Sequence, residues 1–336
     1  SDVCSSDLYN SSDFEDEKSR RKMFSQLNLD NPPAISQLAD QFLIVGGNKM
    51  DDTAHIIYRY PDVDLPDLTY DILVEYCFPR GVKKEIKTAM NEEDMQNIKK
   101  SAMDSHKLVS QFFTFYFACQ HIGMTRYALC FSKKRVQQMD ENNPLRYQED
   151  EVIYVLLTLS DRFSLHISFL EALLNLRESD VITLPSHEPC SDFELYLQSY
   201  FKLPSTYKDP LRLPWNKEYL CDMPMCLSRC VFIRVIPLNY LISLISAVLL
   251  ERKVFIKSEY PCCVSGTISF LIDAIQPFRY ESPVISVLTD GLFDLIDSPT
   301  PLIVGCFKVP EELPEDSVLY DIDTKTMKVF GPDIIL

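Results

Sequence analysis

Apolar and polar positions in the first half of the folded chain follow a pattern that indicates strands. QFLIVGG, from residue 41, predicts a strand closed by its two glycines, and IIYRY, from residue 56, predicts a second strand stopped by Pro61. KLVSQFFTFYFACQ places aromatic residues on both faces, and RYALCFSKKRV follows after a short turn, so these segments predict a hairpin covered on both sides. The polar stretch before this hairpin favours a loop with one exposed helix. Residues 37–136 are therefore predicted to form an α+β unit dominated by antiparallel strands.

Strand and helix patterns alternate in the second half of the chain. VIYVLLTLS predicts a buried strand, and DRFSLHISFLEALLNLRES predicts a helix with one apolar stripe, beside which His166 is expected to be partly buried. RCVFIRVIP, KVFIKS, SPVISVL and PLIVGCF predict further strands, and VSGTISFLIDAIQ predicts a helix. LNYLISLISAVLLERK is apolar on more than one stripe, so we expect a helix buried nearly all round. The alternation predicts that residues 151–336 form an α/β unit with a largely parallel sheet.

Two segments are interpreted by composition alone. Residues 1–36 mix charges without an apolar face, which predicts a disordered tail, and residues 137–150 are rich in polar residues and predict a linker. Reverse-translated, the opening SDVCSSDL can be written TCA GAC GTG TGC TCT TCC GAT CT, which looks like the end of a short-read sequencing adapter. We therefore interpret Ser1 to Leu8 as an artefact of sequence assembly and set Cys4 aside.

Charge and cysteine content narrow the classes of function. The net charge is -16 and the isoelectric point about 4.8, so the chain repels phosphate backbones, and nucleic acid is not an expected partner. The chain has 11 cysteines without a secretory signal, which favours reduced thiols in the cytosol. Cys221, Cys226 and Cys230 are spaced more widely than the tight pairs of most zinc sites, so thiols are favoured over structural zinc. The uncharged run from Val235 to Leu250 is too short to span a bilayer.

Local motifs for catalysis are missing from the sequence. The chain has only 8 glycines and contains no G-x-x-x-x-G-K-[ST], no G-x-S-x-G and no H-E-x-x-H. The acidic pairs at Glu92 and Glu311 lie in polar stretches and indicate solvated surface. We expect no catalytic residue, no metal and no cofactor, and the residues by themselves indicate a cytosolic two-domain protein that binds other proteins.

An ordered series of segments in the second unit resembles the DENN module. The segments are LSDRFSLHISFLEALLNL, LISAVLLERKVFIKS, IQPFRYESPVISVLT, LFDLIDSPTPLIVGC and SVLYDIDTKTMKVF. The most recognisable block is the helix ending in Leu249, Leu250, Glu251 and Arg252. The proline pair Pro299 and Pro301 with Gly305, and the aspartates Asp321 and Asp323, occupy the later blocks. QFLIVGG, CFPRG and the aromatic hairpin resemble the upstream segment of the same family, a longin-like domain.

The resemblance implies an architecture, and some positions of the chain depart from the family's usual residues. It implies an upstream DENN longin-like α+β lobe at residues 37–136 and a three-layer α/β central DENN lobe at residues 151–336 with a mostly parallel sheet. Tyr280 to Ser282 stand where the family usually has tryptophan, often followed by glutamine and histidine. Ser286 and Thr289 stand where it usually has prolines. The family's downstream helical segment would begin where the sequence stops at Leu336, so either this segment is missing or the sequence is a fragment.

The resemblance also implies a function. DENN modules typically act as guanine-nucleotide exchange factors for Rab-family small GTPases, so we expect a Rab partner, promotion of GDP release and no covalent chemistry. Population shift by differential affinity would supply the mechanism. Localisation would be cytoplasmic and peripheral on vesicle membranes through partners. The alternatives are a noncatalytic GTPase-binding scaffold, and GTPase activation by an arginine finger, for which Arg126 is the candidate.

Candidate GTPase contacts follow from turn chemistry rather than from an alignment. A Pro-Gly turn displays its side chains, one arginine lies in the hairpin, and two residues precede the proline pair on a predicted loop. Each of these positions also has a purely structural interpretation as a turn former or strand start. The candidates are Phe78, Pro79, Arg80, Gly81, Arg126, Asp297 and Ser298.

Overall fold

Two β-sheets organise the chain in the computed structural model. The structure describes residues 37–47, 53–103, 112–119, 124–140, 143–160, 162–176, 192–204, 236–278 and 280–331. The predicted strand RCVFIRVIP and the Cys221, Cys226 and Cys230 cluster lie wholly or largely outside these residues, as does the predicted tail at 1–36. Within the described ranges, no helix combines the length and the apolar character needed to cross a membrane.

The first sheet is antiparallel throughout and has the strand order β2-β1-β6-β5-β4, with β3 paired to β6. Its strands are β1 Gln41–Gly47, β2 Ala54–Tyr60, β3 Glu85–Thr88, β4 Phe112–Cys119, β5 Met124–Asp140 and β6 Asn143–Thr158. The predicted strands and hairpin of the first unit are therefore confirmed. CFPRG is preceded by a helix, α1 Tyr70–Cys77, and the exposed helix expected in the polar stretch is α2 Glu92–Met103.

Helices cover both faces of the first sheet. On one face, α3 Phe163–Leu176 and α4 Asp192–Phe201 pack through Phe169 and Tyr200, whose stacked rings lie 3.6 Å apart between centroids, against Phe42 of β1. On the other face, α1 packs through Leu73 and Tyr76 against the apolar side chains of β1, β4 and β6. The sheet is thus buried on both sides, as the aromatic residues on both faces of β4 indicate.

The stretch predicted as a linker is part of the first sheet. Residues 137–140 end β5 and residues 143–150 begin β6, so the two strands continue as a long arm. The arm is stable despite its polar composition because Arg135 and Asp150, which face each other in register, form a bidentate ion pair at 2.8 and 2.5 Å. Val136 and Tyr147 bury a small cluster with α2 on the same arm. The domain boundaries at residues 136 and 150 stay predictions from the family resemblance. The strand β6, which crosses the second of them, pairs with β1 and β5 of the first sheet.

The second sheet is mostly parallel, as predicted. Its order is β11-β10-β7-β9-β8, and β10 with β11 is its one antiparallel pairing in the described residues. The strands are β7 Lys253–Lys257, β8 Val284–Ile285, β9 Ile303–Cys306, β10 Ser317–Asp321 and β11 Thr326–Phe330. The helices α5 Leu238–Leu249 and α6 Pro261–Ala274 cover one face, and the segment around the 3-10 helix Asp290–Leu295 covers the other. The mixed α/β fold class is confirmed.

Helix α5 differs from the expectation of burial nearly all round. Leu244 is buried against the sheet, but Leu238 is 70 % exposed, Leu249 51 % and Ile242 41 %. The three exposed residues follow the same helical period as the buried Val248, whereas the buried Leu244 lies off that period. Periodicity therefore could not show which apolar positions face the sheet.

We call the first sheet with α1 to α4 the first lobe, and the second sheet with α5 and α6 the second lobe. Serine hydroxyls from the second lobe cover the free edge of the first sheet. β4 is the last strand of that sheet, and edge strands expose unpaired N–H groups that need acceptors. The N–H of Thr114 donates to Ser265 Oγ at 3.3 Å, and the N–H of Tyr116 donates to Ser286 Oγ at 2.9 Å. Ser286, one of the departures from the family pattern, therefore joins the two lobes.

We expect Ser286→Ala to lower the free energy of unfolding by about 2 kcal/mol, because the N–H of Tyr116 then loses its acceptor in a buried interface. Urea unfolding followed by circular dichroism measures the difference. Ser243→Ala is the matched control, since the Ser243 hydroxyl bonds only the Asn239 carbonyl of its own helix among the described contacts. Equal stabilities of the Ser286 and Ser243 variants would contradict the assigned role.

His166 is a buried neutral histidine in the core of the first lobe. It is fully buried, its Nδ1 lies 2.5 Å from the Tyr200 hydroxyl, and its Nε2 lies 3.4 Å from Thr158 Oγ1. Because Thr158 Oγ1 donates its proton to the Leu38 carbonyl, it accepts from Nε2–H, and Nδ1 accepts from Tyr200. Burial is the main cause that lowers the pKa of His166 to about 4.

Stability should therefore fall as the pH drops from 6.5 towards 4, by about 1.4 kcal/mol per pH unit, because the unfolded chain binds a proton that the folded core excludes. Above pH 6.5 both states are neutral at this site and the contribution is complete. His166→Gln should remove this part of the slope in urea unfolding at several pH values. His55→Gln, at an exposed position on β2, controls for loss of a histidine. A wild-type slope retained by His166→Gln would contradict the assignment.

Candidate functional site

A cleft of about 740 Å³ lies where the two lobes meet. The first lobe contributes the end of α1 and the turn after it, and the second lobe contributes the segments after β8 and β9. The lining residues are Glu75, Phe78, Pro79, Arg80, Leu288, Thr289, Phe293, Phe307, Lys308, Val309, Pro310 and Glu311. The cleft therefore exists only while the lobes stay together.

The turn that the first lobe contributes to the cleft is formed by residues 78–81, and each of them has a different structural role. The N–H of Gly81 donates to the Phe78 carbonyl at 2.9 Å, which closes a β-turn with Pro79 and Arg80 at its centre. Proline fixes the first central position, and Gly81 has a φ of 71°, which suits glycine. Phe78 is 9 % exposed and anchors the turn in the core below. Arg80 is thereby displayed at the surface.

Two second-lobe groups hold the Arg80 side chain. Its Nη2 donates to the Glu259 carbonyl oxygen at 2.5 Å, and its guanidinium carbon lies 5.1 Å from the centre of the Phe307 ring. A guanidinium over an aromatic face gains a cation–π interaction of about 0.5–1 kcal/mol at an exposed site. Arg80 therefore bridges the lobes at the edge of the cleft.

The Glu259 segment is itself fixed by Asp323, which follows β10. Asp323 Oδ1 accepts from Ser258 Oγ at 2.7 Å, and Oδ2 accepts from the N–H of Glu259 at 2.8 Å and from Lys257 Nζ at 3.1 Å. Burial alone would raise the pKa of Asp323, but these hydrogen bonds and the Lys257 charge outweigh it and lower that pKa. Burial opposes the charge on Lys257, and the Asp321 and Asp323 carboxylates outweigh it and raise the pKa of Lys257.

The cleft combines an aromatic floor with charges of both signs. Phe78 and Phe307 give the apolar surface together with Phe293, which is 39 % exposed. The lining contains two cations, Arg80 and Lys308, and two carboxylates, Glu75 and Glu311. Aromatic residues and arginine are the side chains enriched in protein interfaces, so this arrangement suits noncovalent recognition of a protein surface.

Six of the seven sequence-based candidates separate into those at the cleft and those outside its lining. Phe78, Pro79 and Arg80 line the cleft, and Gly81 closes the turn that carries them. Asp297 and Ser298 follow the 3-10 helix and are not among the described residues that line the cleft. All seven candidates stay predictions as GTPase contacts.

Arg126 lies in a different environment from the cleft candidates. It is 4 % exposed, and its Nε donates to Asp40 Oδ2 at 2.9 Å. Burial raises the pKa of Asp40, while Arg126 opposes that rise. This contact ties β5 to the start of β1, which is a structural role for the pair.

Several lining residues escaped the sequence analysis. Phe307 follows directly after PLIVGC, and Phe293 lies in LFDL, but apolar residues next to strands and helices are usually core. Glu259 does not line the cleft, and it holds Arg80 with its backbone carbonyl, which no residue type reveals. One weak signal for a binding residue was present, because Phe307 follows the end of β9 and ligands of parallel sheets bind at the carboxyl ends of strands.

Fold and cleft together define a two-lobed α/β module with a cleft between its lobes. The DENN (AEX-3) domain family matches residues 209–325, which include α5, β7, α6, β8, β9 and β10. Residues 209–325 therefore match a DENN domain, as the ordered motifs predicted. DENN domains generally act as exchange factors for Rab GTPases.

Two relatives share distant similarity with the chain. Mouse "DENN domain-containing protein 2A" is 29 % identical over 85 residues, which cover 24 % of this chain and 8 % of that protein. "MAP kinase-activating death domain protein" of Caenorhabditis elegans is 27 % identical over 119 residues, which cover 33 % of this chain and 8 % of that protein. The matches thus span about a twelfth of each relative's length.

Proposed function

We propose that this chain promotes GDP release from a Rab-family small GTPase. The observation that carries the proposal is the DENN match at residues 209–325 together with a cleft that joins this segment to the first lobe. A GTPase seated across both lobes would contact the aromatic floor and the Arg80 edge. Stronger binding to the nucleotide-free form than to the GDP form would drive release, since a ligand shifts an equilibrium only by its differential affinity.

The test measures release of a fluorescent GDP analogue from a panel of purified Rab GTPases, with and without the full chain. We expect acceleration for at least one Rab, saturating with chain concentration. The control is the Gly305→Ala variant described below, whose second lobe is expected to be disrupted. A folded chain that accelerates no Rab would overturn the proposal.

A noncatalytic GTPase-binding scaffold is the alternative from the sequence analysis, and the same reagents decide between the two. Pull-down with the nucleotide-free, GDP and GTP forms of the responding Rab ranks their affinities. Preference for the nucleotide-free form supports exchange, and preference for the GTP form without acceleration supports the scaffold.

GTPase activation by an arginine finger has less support from the geometry. An arginine finger must reach the nucleotide, whereas Arg126 is buried and paired with Asp40. GTP hydrolysis by the responding Rab, measured with wild type and Arg126→Ala, tests this function directly.

Localisation follows from the proposed partner. We propose a cytoplasmic protein recruited to vesicle membranes through its GTPase. Fractionation of cells that express the tagged chain, with and without the responding Rab, measures the expected shift into the membrane fraction.

A further inference from the structure

A chain of hydrogen bonds leads from the β10–β11 turn to the edge of the cleft. Asp323 accepts from the N–H of Glu259 at 2.8 Å, and the carbonyl of the same residue accepts from Arg80 at 2.5 Å. The backbone N–H of Glu259 thus contacts Asp323 and its backbone carbonyl contacts Arg80, while the Glu259 side chain makes neither bond. Arg80 touches the second lobe at this carbonyl and at Phe307.

The anchor of this chain is strong because one carboxylate collects three donors. Ser258 Oγ, the N–H of Glu259 and Lys257 Nζ all point at Asp323 within 3.1 Å. Charge-assisted hydrogen bonds of this kind are about twice as strong as neutral ones. The turn that presents Asp323 is fixed in addition by Asp321 Oδ1, which accepts from the N–H groups of Asp323 and Thr324.

We propose that Asp323 is a positioning residue for GTPase binding, which fixes the Arg80 guanidinium at the cleft through the backbone of Glu259. The proposal rests on the proposed function and adds to it a specific residue, which follows β10. Asp323 itself does not line the cleft and would not touch the GTPase. Its effect is to remove rotamer freedom from Arg80 before the partner arrives.

The physical consequence is a modest change in affinity. Immobilising a long side chain on binding costs about 0.5–1.5 kcal/mol, which corresponds to about 2- to 12-fold in affinity. Without Asp323 the 257–259 segment loses its anchor, and Arg80 must be ordered by the GTPase itself. We therefore expect Asp323→Ala to weaken binding of the nucleotide-free Rab by about 3- to 10-fold.

The first experiment observes Arg80 directly and needs no GTPase. In the arginine-labelled full chain, the Nε–Hε resonance of Arg80 is assigned by its loss in Arg80→Ala. Asp323→Ala should move this resonance to the position of a mobile arginine. Asp323→Asn should lie between, because its amide keeps one acceptor oxygen while its NH2 cannot accept from the remaining donors. An Arg80 resonance unchanged in Asp323→Ala would overturn the proposal.

Asp316→Asn is the matched control for loss of one carboxylate. Asp316 immediately precedes the same strand, β10, and pairs with Arg252 at 3.0 Å, so its contact does not reach the cleft. This variant should leave the Arg80 resonance and Rab affinity at wild-type values. Thermal unfolding of all variants shows whether any change follows from general loss of stability.

The second experiment is a double-mutant cycle with the most responsive Rab of the GDP-release panel. If Asp323 acts through Arg80, Asp323→Ala should weaken Rab binding in the wild-type background and have no further effect in the Arg80→Ala background. Equal weakening in both backgrounds would overturn the positioning role. If no Rab responds, the proposed function fails, and the Arg80 resonance alone decides whether Asp323 positions Arg80.

Discussion

Gly305→Ala should destabilise the second lobe by more than about 3 kcal/mol, the largest loss of stability that we expect from one added methyl group. An ideal Cβ at this position would lie 2.2 Å from the Ser286 carbonyl oxygen and 2.4 Å from Val264 Cγ1. The first of these atoms belongs to the backbone beside β8 and cannot rotate away. The sheet and α6 must separate, and the Ser286 contact with the first lobe is lost with them.

Gly81→Ala is the matched control for a glycine substitution. No atom lies within 4 Å of a Cβ at Gly81, but its φ is +71°, so the expected cost is only about 1–2 kcal/mol of backbone strain. Urea unfolding of both variants against wild type gives the two differences. Adding Val264→Ala to Gly305→Ala should not restore stability, because the Ser286 oxygen remains. Comparable stabilities of the Gly305 and Gly81 variants would contradict the close-packing explanation.

Local pattern was sufficient to predict most strands and the class of each sheet. Alternation and turn residues identified β1, β2 and the β4–β5 hairpin. The repeat of strand and helix predicted a largely parallel sheet, in which the structure pairs β7 with β9 and β10. These features follow from residues close together in sequence, where hydrophobic period and turn chemistry act directly.

The arm of β5 and β6 shows where composition misleads. Polar residues at 137–150 indicate a linker when each is considered alone, because exposed polar chains usually form loops. Arg135 and Asp150 are 15 residues apart, and their ion pair appears only once the register of the two strands is known. A pairing between distant positions stabilises the strand against its composition, and no local window contains that information.

Only the part of the candidate site that the first lobe contributes was predictable from local sequence. The Pro79–Gly81 turn has a local signature, and it does display Arg80 at the cleft. Phe307 and the Glu259 carbonyl come from the second lobe, and their meeting with Arg80 depends on how the lobes dock. That docking uses Ser265 and Ser286 on the edge of β4, and serine in a helix or strand gives no sign of such a role in sequence.

Arg80→Glu should lower the rate at which the chain stimulates GDP release from the responding Rab, at subsaturating chain concentration, by at least about 30-fold, corresponding to the 2 kcal/mol or more of an interface hot spot. The substitution removes the contacts with Phe307 and the Glu259 carbonyl, and it adds a carboxylate to a cleft that already contains Glu75 and Glu311. A partner surface that meets these groups would face three negative charges and a single cation, Lys308.

The matched control is Arg146→Glu, which makes the same change of charge at an exposed position of β6 away from the cleft lining. It should lower the release rate by no more than a small, salt-sensitive factor, because only long-range steering changes. Arg80→Lys separates charge from geometry, since lysine keeps the cation but cannot reproduce the planar stacking on Phe307. Release rates for Arg80→Glu equal to those of Arg146→Glu, in variants with wild-type melting temperatures, would exclude the Arg80 edge of the cleft as the GTPase contact.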